Sequence, residues 1–166
     1  PGCWHGQMQQ PFPAMVARID GSGSPAIHRT YLNATRCVKA DISPNKTMLG
    51  SVRGGAVHLS NGSGPLVVCE GIETALSLLS GILSGPWWEN ASVWAALSTS
   101  GMKTLRLPDP DVLIIATDGD QAGIDAGEQL AIRAHRSGWN VSFLHAPESQ
   151  DWNDVLQAQG ENHVQF

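Results

Sequence analysis

Residues 112–123 have the sequence VLIIATDGDQAG, an apolar run that ends in the acidic turn Asp118-Gly119-Asp120. The run predicts a buried strand over 112–117, and the residues after it predict a helix over 122–136. A strand that is apolar along its whole length is typical of a parallel sheet covered by helices on both faces. Carboxylates directly after such a strand lie at its carboxyl end, where open α/β sheets place their functional crevice.

The same alternation of strands and helices continues on both sides of this stretch. Further helices are predicted over 72–83 and 151–159, and further strands over 66–69, 93–97 and 140–145. This order predicts an α/β fold whose central, mostly parallel sheet has four strands and is flanked by helices.

The region before this unit has a different character. Its β-like runs over 14–20 and 26–32 are joined by the turn sequence GSGSP, and a further short strand is predicted over 56–59. The sequence NGSGP at 61–65 is the clearest linker signal. We therefore predict a small β-rich N-terminal arm, residues 1–64, and a second domain, residues 65–166. The arm carries a net charge of +4 and the second domain −9, a division that suits a metal-dependent enzyme acting on nucleic acid, although ordinary scatter of charges is the simpler reading.

Composition disfavours a membrane protein and a disulfide-bonded or zinc-binding protein. No apolar run could cross a bilayer, no charged-then-apolar leader follows Pro1, and we expect no membrane partner. Cys3, Cys37 and Cys69 are odd in number and lack Cys-x-x-Cys spacing, so a disulfide framework or cysteine-rich zinc site is not expected. A cytoplasmic location fits best, and we expect the chain to be a piece of a longer protein.

Three acidic features lie at or beyond the ends of predicted strands: Glu70, the pair Asp118 and Asp120, and Asp151. Right-handed crossovers would place the strands before Glu70 and Asp118 side by side. Carboxylates gathered in this way repel one another, and a hard divalent cation such as Mg²⁺ or Mn²⁺ relieves the repulsion. Taken singly, Glu70 could equally cap a helix and Asp118 could be a turn residue.

The combination of motifs is more specific than its parts. An apolar strand ending in Glu70-Gly71, followed by one ending in Asp118-x-Asp120 with Ala122-Gly123 downstream, resembles the Toprim family. That family includes DNA primases, type IA and type II topoisomerases, nucleases and recombination-mediator proteins. The resemblance implies a Rossmann-like Toprim fold, with Glu70, Asp118 and Asp120 as catalytic and metal-binding residues.

Within the family, the chain is most similar to the primases of phages, plasmids and integrated elements. The segments CEGIETAL at 69–76, ATDGDQAGIDA at 116–126 and DWNDVL at 151–156 resemble the three acidic primase motifs. In the third, Asp151 fits the first acidic position and would join the metal ligands, whereas Asn153 stands where a second carboxylate is common. A second metal ion is therefore left open.

The resemblance also implies residues that bind nucleic acid or nucleotide. Lys46 and Arg53 precede the first Toprim strand, where primases carry basic residues, and Ser98 and Ser100 follow the second strand. For each, a solvated loop residue is at least an equal alternative. The implied partners are a single-stranded DNA template, nucleoside triphosphates, and a helicase or other domains on the longer chain.

These observations lead to the prediction of a primase-like nucleotidyltransferase that makes RNA primers with Mg²⁺ or Mn²⁺. Two rivals stay open: a metal-dependent nuclease built on the same carboxylates, and a non-catalytic DNA-binding module of the recombination-mediator kind. A topoisomerase is disfavoured, because Tyr31, the one tyrosine, lies inside a predicted strand without a matching motif.

Overall fold

A computed structural model describes residues 2–36 and 38–162, with side chains described up to residue 159. Pro1, Cys37 and residues 163–166 lie outside the described residues, so the expectation for Cys37 is not addressed by the structure. Among the helices that are described, none is long and apolar enough to cross a membrane.

The N-terminal arm contains an antiparallel sheet of four strands in sequential order: β1 (Gly2–His5), β2 (Gln10–Ile19), β3 (Ala26–Tyr31) and β4 (Lys46–Leu49). The turn between β2 and β3 is the predicted glycine-rich one, and Gly21 and Gly23 both have positive φ angles, which glycine adopts at little cost. Strands β2 and β3 confirm the two predicted runs. Strands β1 and β4 were not predicted.

The second sheet has five strands: β5 (Val57–Ser60), β6 (Leu66–Cys69), β7 (Ser92–Ala95), β8 (Val112–Thr117) and β9 (Asn140–His145). Their order is β5-β7-β6-β8-β9. The last four strands in the chain are mutually parallel, which confirms the predicted α/β class and its four-stranded parallel core. The short strand predicted over 56–59 is confirmed as β5, but it belongs to this sheet: it pairs antiparallel with β7 at the edge and gives the sheet five strands instead of four.

Four helices cover the sheet: α1 (Ile72–Ser77), α2 (Thr99–Thr104), α3 (Gln121–Arg136) and α4 (Trp152–Asn162). The predicted helix over 72–83 is shorter than expected, because a π-helical turn over Leu78–Ile82 follows α1. Helix α2 replaces the loop expected at Ser98–Gly101; the Ser98 hydroxyl caps it by accepting a 2.9 Å hydrogen bond from the Gly101 N–H.

The parallel strands are apolar throughout because the sheet is buried on both faces. Along β6, Val67 and Cys69 pack toward the core beneath α1 and α4, whereas Leu66 and Val68 pack toward the core beneath α2 and α3. Each buried Val or Leu contributes about 1.5–3 kcal/mol. This two-sided burial leaves the carboxyl edge of the strands as the place where charged side chains collect.

The arm and the five-stranded sheet are joined through backbone as well as side chains. Asp20 and Ala56 form an isolated antiparallel bridge, with N–H to O distances of 2.8 and 2.9 Å. The arm thus continues directly into the edge strand β5, which lies before the predicted boundary at residue 65. That boundary stays a prediction.

Candidate active site at the carboxyl edge of the parallel sheet

Strands β6 and β8 are neighbours at the centre of the sheet. They run parallel, with Cys69 opposite Ala116, so Glu70 and Asp118 follow the two strands at the same edge. The chain leaves β6 for β7 on one side and then crosses to β8 on the other. The carboxylates therefore lie at the switch point in strand order, as the crossover argument predicted.

Glu70 is half-buried in this crevice. Burial raises the pKa of its carboxyl group, and the charges of Asp118 and Asp120 raise it further. The backbone N–H of Thr99, in the first turn of α2, donates to the carboxylate, and with the charge of Lys46 it offsets part of that rise. Glu70 is thus held by a hydrogen bond from α2, and the negative charges of Asp118 and Asp120 disfavour its ionised form.

Asp118 accepts hydrogen bonds from two other elements of the domain. Burial raises the pKa of its carboxyl group, followed by the charge of Asp151, whereas hydrogen bonds from the Trp152 N–H and the Thr74 hydroxyl lower it. The Thr74 oxygen lies 3.3 and 3.4 Å from the two carboxylate oxygens. Two donors, one from α1 and one from α4, fix the orientation of a carboxylate that its surroundings make costly to ionise.

Asp120 has a structural role in addition to its charge. It is the N-cap of α3, and its Oδ1 accepts a 2.7 Å hydrogen bond from the Gly123 N–H. Capping residues of this kind typically contribute about 1 kcal/mol to stability. The helix-capping alternative raised for Glu70 therefore applies to Asp120 instead, since the N-cap of α1 is Gly71 and has no side-chain hydrogen bond.

Gly119 explains how Asp151 comes close to Asp118. The Gly119 N–H donates to the Gln150 carbonyl at 2.8 Å, and its own carbonyl accepts from the Ser149 N–H at 3.0 Å. A Cβ atom on Gly119 would collide with the carbonyl oxygen of Pro147. Glycine is required here by close backbone approach, and that approach draws the loop before α4 against the Asp118 turn.

The start of α4 is fixed by its own contacts. Asp151 Oδ1 accepts a 2.8 Å hydrogen bond from the Asp154 N–H, and Asp154 Oδ2 accepts a 3.1 Å bond from the Asp151 N–H. The indole Nε1 of buried Trp152 donates to the Thr117 carbonyl at 3.1 Å. The reciprocal bonds cap α4, and the indole anchors it beneath the end of β8.

The donor set suits a hard divalent cation. Glu70, Asp118 and Asp151 present carboxylate oxygens only, and the charges of Asp118 and Asp151 oppose one another at one edge. Among the described residues, however, no group of three or more His, Cys, Asp or Glu side chains is gathered closely enough to hold a metal ion. Oxygen-only donors fit a hard divalent cation. Three of the predicted ligands also accept a hydrogen bond of their own: Glu70 from the Thr99 N–H, Asp118 from the Thr74 hydroxyl and Asp120 from the Gly123 N–H.

The predicted binding residues divide into two locations. Arg53, Ser98 and Ser100 line one cavity of ≈ 250 Å³ between β4 and α2, beside the segment that holds Glu70. Lys46 lies on β4 and contacts Glu73, with Nζ 2.9 Å from Oε1 and 3.0 Å from Oε2. The structure brings the first three together and places Lys46 in an ion pair.

Glu73 is the centre of a small cluster that sequence analysis missed. Lys39 Nζ lies 2.8 Å from its Oε1, so two lysines of the arm converge on one carboxylate of α1. Although burial acts to raise it, the pKa of Glu73 is held at about 2 by Lys39 and Lys46. Residues this distant in sequence give no local signal of their pairing.

Thr74 and Trp152 were also missed as residues that orient Asp118. The signal for Thr74 is its position in the first turn of α1, which begins at the same sheet edge as the Asp118 turn. The buried indole of Trp152 is typical of a core residue, but its backbone N–H also contacts Asp118.

Comparison with known proteins supplies the family. The family model for the Toprim domain matches residues 65–162, which is more than half of the chain. The chain belongs to the Toprim family. Residues 1–59 of this Toprim protein match a second family model, described only as a domain of unknown function. A comparison with curated protein sequences gives no match.

Solved structures that share this Toprim fold include three primase structures. A DNA primase domain from Pseudomonas aeruginosa is 22% identical, with a TM-score of 0.52 over 95% of this chain and 52% of that one. The zinc-binding and RNA polymerase domains of the Aquifex aeolicus primase are 17% identical, with a TM-score of 0.58 over 91% and 38%. The RNA polymerase domain of the Mycobacterium tuberculosis primase is 14% identical, with a TM-score of 0.54 over 98% and 57%.

These neighbours confirm the fold predicted by resemblance to the primase branch. They also show that the arm and the Toprim domain together have a counterpart in primases, because nearly the whole chain is covered in each case. The chain spans about half the length of the structures that it matches.

Proposed function

We propose that this chain is the catalytic part of a primase-like nucleotidyltransferase that synthesises RNA primers on single-stranded DNA. The observation that supports this most directly is that Glu70 and Asp118 follow two adjacent parallel strands at the same edge of the sheet, where burial and the charges of neighbouring aspartates raise the pKa values of both carboxyl groups. A set of carboxylates that is costly to ionise without a counter-charge is suited to a divalent cation.

In this proposal Glu70, Asp118 and Asp120 hold Mg²⁺ or Mn²⁺, and Asp151 supports the same cation. The bound ion would supply charge neutralisation for triphosphate and leaving pyrophosphate. The residues of the chain orient the reactants: Thr74 and the Trp152 N–H fix Asp118, and the Thr99 N–H fixes Glu70. Glu70 is the group proposed to accept the proton of the attacking hydroxyl.

The reaction joins a primer 3′-oxygen to the α-phosphorus of a nucleoside triphosphate and breaks the bond between the α-phosphorus and the bridging oxygen of pyrophosphate. Arg53, Ser98 and Ser100 are proposed to bind nucleotide phosphate, because their shared cavity adjoins the segment that holds Glu70. Lys46, with the rest of the basic arm, is proposed to contact the template strand once released from Glu73.

The division of the chain into an arm, residues 1–64, and a Toprim domain, residues 65–166, belongs to the same proposal. A cytoplasmic location, a mobile-element origin, and a helicase or other domains on a longer chain complete it. The length of the matched primase structures supports the last point, because this chain covers only part of each.

The test uses the longest available form of the protein with single-stranded DNA, four ribonucleotides, and Mg²⁺ or Mn²⁺. Wild type is compared with the double variant Asp118→Asn, Asp120→Asn. The chain offers a matched control in Asp109→Asn, Asp111→Asn, an exposed pair with the same Asp-x-Asp spacing just before β8 instead of just after it. We expect new short RNA from wild type and from the control, and none from the active-site variant.

Other outcomes would overturn the proposal in different directions. Metal-dependent shortening of the DNA without triphosphates would establish a nuclease, since the same carboxylates can activate water. DNA binding that survives the active-site substitutions, with no RNA made by any variant, would favour the non-catalytic binding module.

A further inference from the structure

A cationic surface outside the carboxylate site extends over helices α2 and α3. Two adjoining concavities of ≈ 430 and ≈ 470 Å³ are lined by basic side chains and share Lys103 and Arg133. We define the cationic face as Arg53, Lys103, Arg106, Arg133 and Arg136.

The composition of this surface differs from that of the chain. The sequence has fifteen acidic and ten basic residues, yet neither concavity is lined by any carboxylate. Among the residues that the structure describes, the ion pairs involve only Arg18, Lys39 and Lys46 of the basic residues. Five of the ten basic side chains thus share one surface without an internal counter-charge, which leaves their charge available to an external anion.

Arg106 is held in place on this face. Its guanidinium Nη1 donates to the Gly21 carbonyl at 3.3 Å, and its backbone N–H donates to the Gly54 carbonyl at 2.9 Å. A Cβ atom on Gly54 would come within 3.0 Å of the Arg106 side chain, so the glycine makes room for it. The remaining N–H groups of the guanidinium stay available to a ligand.

Arg133, on helix α3, also has an N–H group without a hydrogen-bond partner. Its Nη2 donates to the Met102 carbonyl at 3.3 Å, whereas its Nε is buried and has no hydrogen-bond partner. Arg136 lies three residues further along α3, so two like charges are neighbours on one helical surface. Neither arginine has a carboxylate three or four residues away in the sequence.

The cationic face is continuous with the proposed nucleotide cavity. Arg53 and Thr104 line both the ≈ 430 Å³ concavity and the ≈ 250 Å³ cavity that contains Ser98 and Ser100. A chain of concavities therefore leads from the segment that holds Glu70 to the carboxyl end of α3. A polymer with regularly spaced negative charges could occupy this path, while a single small anion would leave most of it empty.

We propose that the cationic face binds the phosphate backbone of a nucleic-acid strand that extends from the carboxylate site. That the strand leads to the carboxylate site rests on the proposed function. That the surface binds phosphates rests on its five cationic side chains, which have no ion-pair partners among the described residues. Contacts of this kind are independent of base sequence and weaken as salt rises, because binding releases counterions from the phosphates.

The test measures binding and synthesis separately. Binding of a fluorescein-labelled oligothymidylate of about 16 nucleotides is followed by anisotropy over a range of salt concentrations, in EDTA so that no divalent ion contributes. The variant is Lys103→Gln, Arg136→Gln, in which both side chains are exposed. The control is Gln157→Glu, Gln159→Glu on α4, which changes net charge by the same amount on the opposite face of the sheet.

Each single-strand phosphate contact contributes about 0.7 to the slope of log affinity against log salt. We expect the cationic-face variant to lower that slope by between about one and two and to weaken binding about tenfold or more, with the control close to wild type. Equal binding by wild type and the variant would overturn the inference, even if RNA synthesis is normal. Equal losses in the variant and the control would also overturn it, since net charge alone would then explain the effect.

Failure of the proposed function would look different. If the variant loses binding but neither it nor wild type makes RNA, the cationic face stands as a nucleic-acid surface and the primase assignment falls. A third arm uses an acidic polypeptide, polyglutamate, as competitor: displacement of the labelled DNA only by unlabelled DNA supports the inference, whereas tighter binding of polyglutamate would replace it with an acidic protein partner.

Discussion

Substitution of Glu73 by glutamine tests the contact between the basic arm and the Toprim domain. The carboxylate lies 2.8 Å from Lys39 Nζ and 2.9 Å from Lys46 Nζ. A pKa held at about 2, against an ordinary value of 4.5, corresponds to about 3 kcal/mol if it were expressed fully. The Glu73 side chain is 35% exposed, and solvent screening reduces the expected contribution to about 1 kcal/mol.

The sign of the pH dependence follows from the lowered pKa. A carboxyl group whose pKa is lower in the folded state stabilises the fold above its ordinary value of 4.5, and that contribution is lost as the pH falls toward about 2. Glu73→Gln should therefore lower the free energy of unfolding by about 1 kcal/mol at pH 7, and the difference from wild type should shrink between pH 4.5 and pH 3. Burial lowers the pKa of nearby His28, the charge of Lys46 lowers it further, and Glu73 offsets part of that fall. Measurements near the titration of His28 are therefore avoided.

Urea unfolding followed by tryptophan fluorescence measures this difference at pH 7.5 and at pH 3. The control is Glu89→Gln, an exposed glutamate, which should change stability by no more than about 0.5 kcal/mol. The same loss for Glu73→Gln at both pH values would refute the electrostatic account and point to packing instead. No loss at pH 7.5 would show that the two lysines do not stabilise the arm through this residue.

Three further predictions address the carboxyl edge of the sheet. Asp120→Ala should lower the free energy of unfolding by about 1 kcal/mol in thermal or urea melts, whereas Asp120→Asn should retain the cap and stay close to wild type; equal losses would contradict the capping role. Gly119→Ala should destabilise by about 2 kcal/mol, because a Cβ atom there meets the Pro147 carbonyl, and a neutral result would show that the loop can move away. Mg²⁺ at about ten times its dissociation constant should stabilise wild type by about 1.4 kcal/mol, seen as a rise of about 4 °C in Tm. Asp118→Asn should remove that rise while raising the Tm without metal.

The parallel core could be predicted from sequence because its signal is local and redundant. Strands β6, β8 and β9 have the predicted bounds, since each is a short apolar run limited by turn residues. The neighbouring position of β6 and β8 also followed from the handedness of crossovers. Strand pattern and crossover handedness, two independent rules, together predict that Glu70 and Asp118 lie at the same edge of the sheet.

The elements that were missed depend on contacts distant in sequence. Helix α2 contains Gly101 and three further residues of low helix propensity, Thr99, Ser100 and Thr104. It forms because Ser98 caps it and Met102 is fully buried against the sheet. Strand β4 has no alternating pattern and is defined by its pairing with β3. The convergence of Lys39 and Lys46 on Glu73 likewise depends on how the arm packs, which no local pattern encodes.

The carboxylates at the sheet edge and the basic residues of the cationic face lie on separate surfaces, and this separation bears on both stability and function. Burial raises the pKa values of Glu70 and Asp118. The ionised carboxylates therefore lower the stability of the fold at neutral pH. Hydrogen bonds from the Thr74 hydroxyl and the Thr99 N–H offset only part of that cost. No described ion pair joins either carboxylate to the basic residues of the cationic face. If the carboxylates at the sheet edge served only to stabilise the fold, ion pairs with those arginines would reduce the cost of ionising them. The separation of the two charged surfaces is explained if each binds a ligand: a cation at the sheet edge and a polyanion on the cationic face.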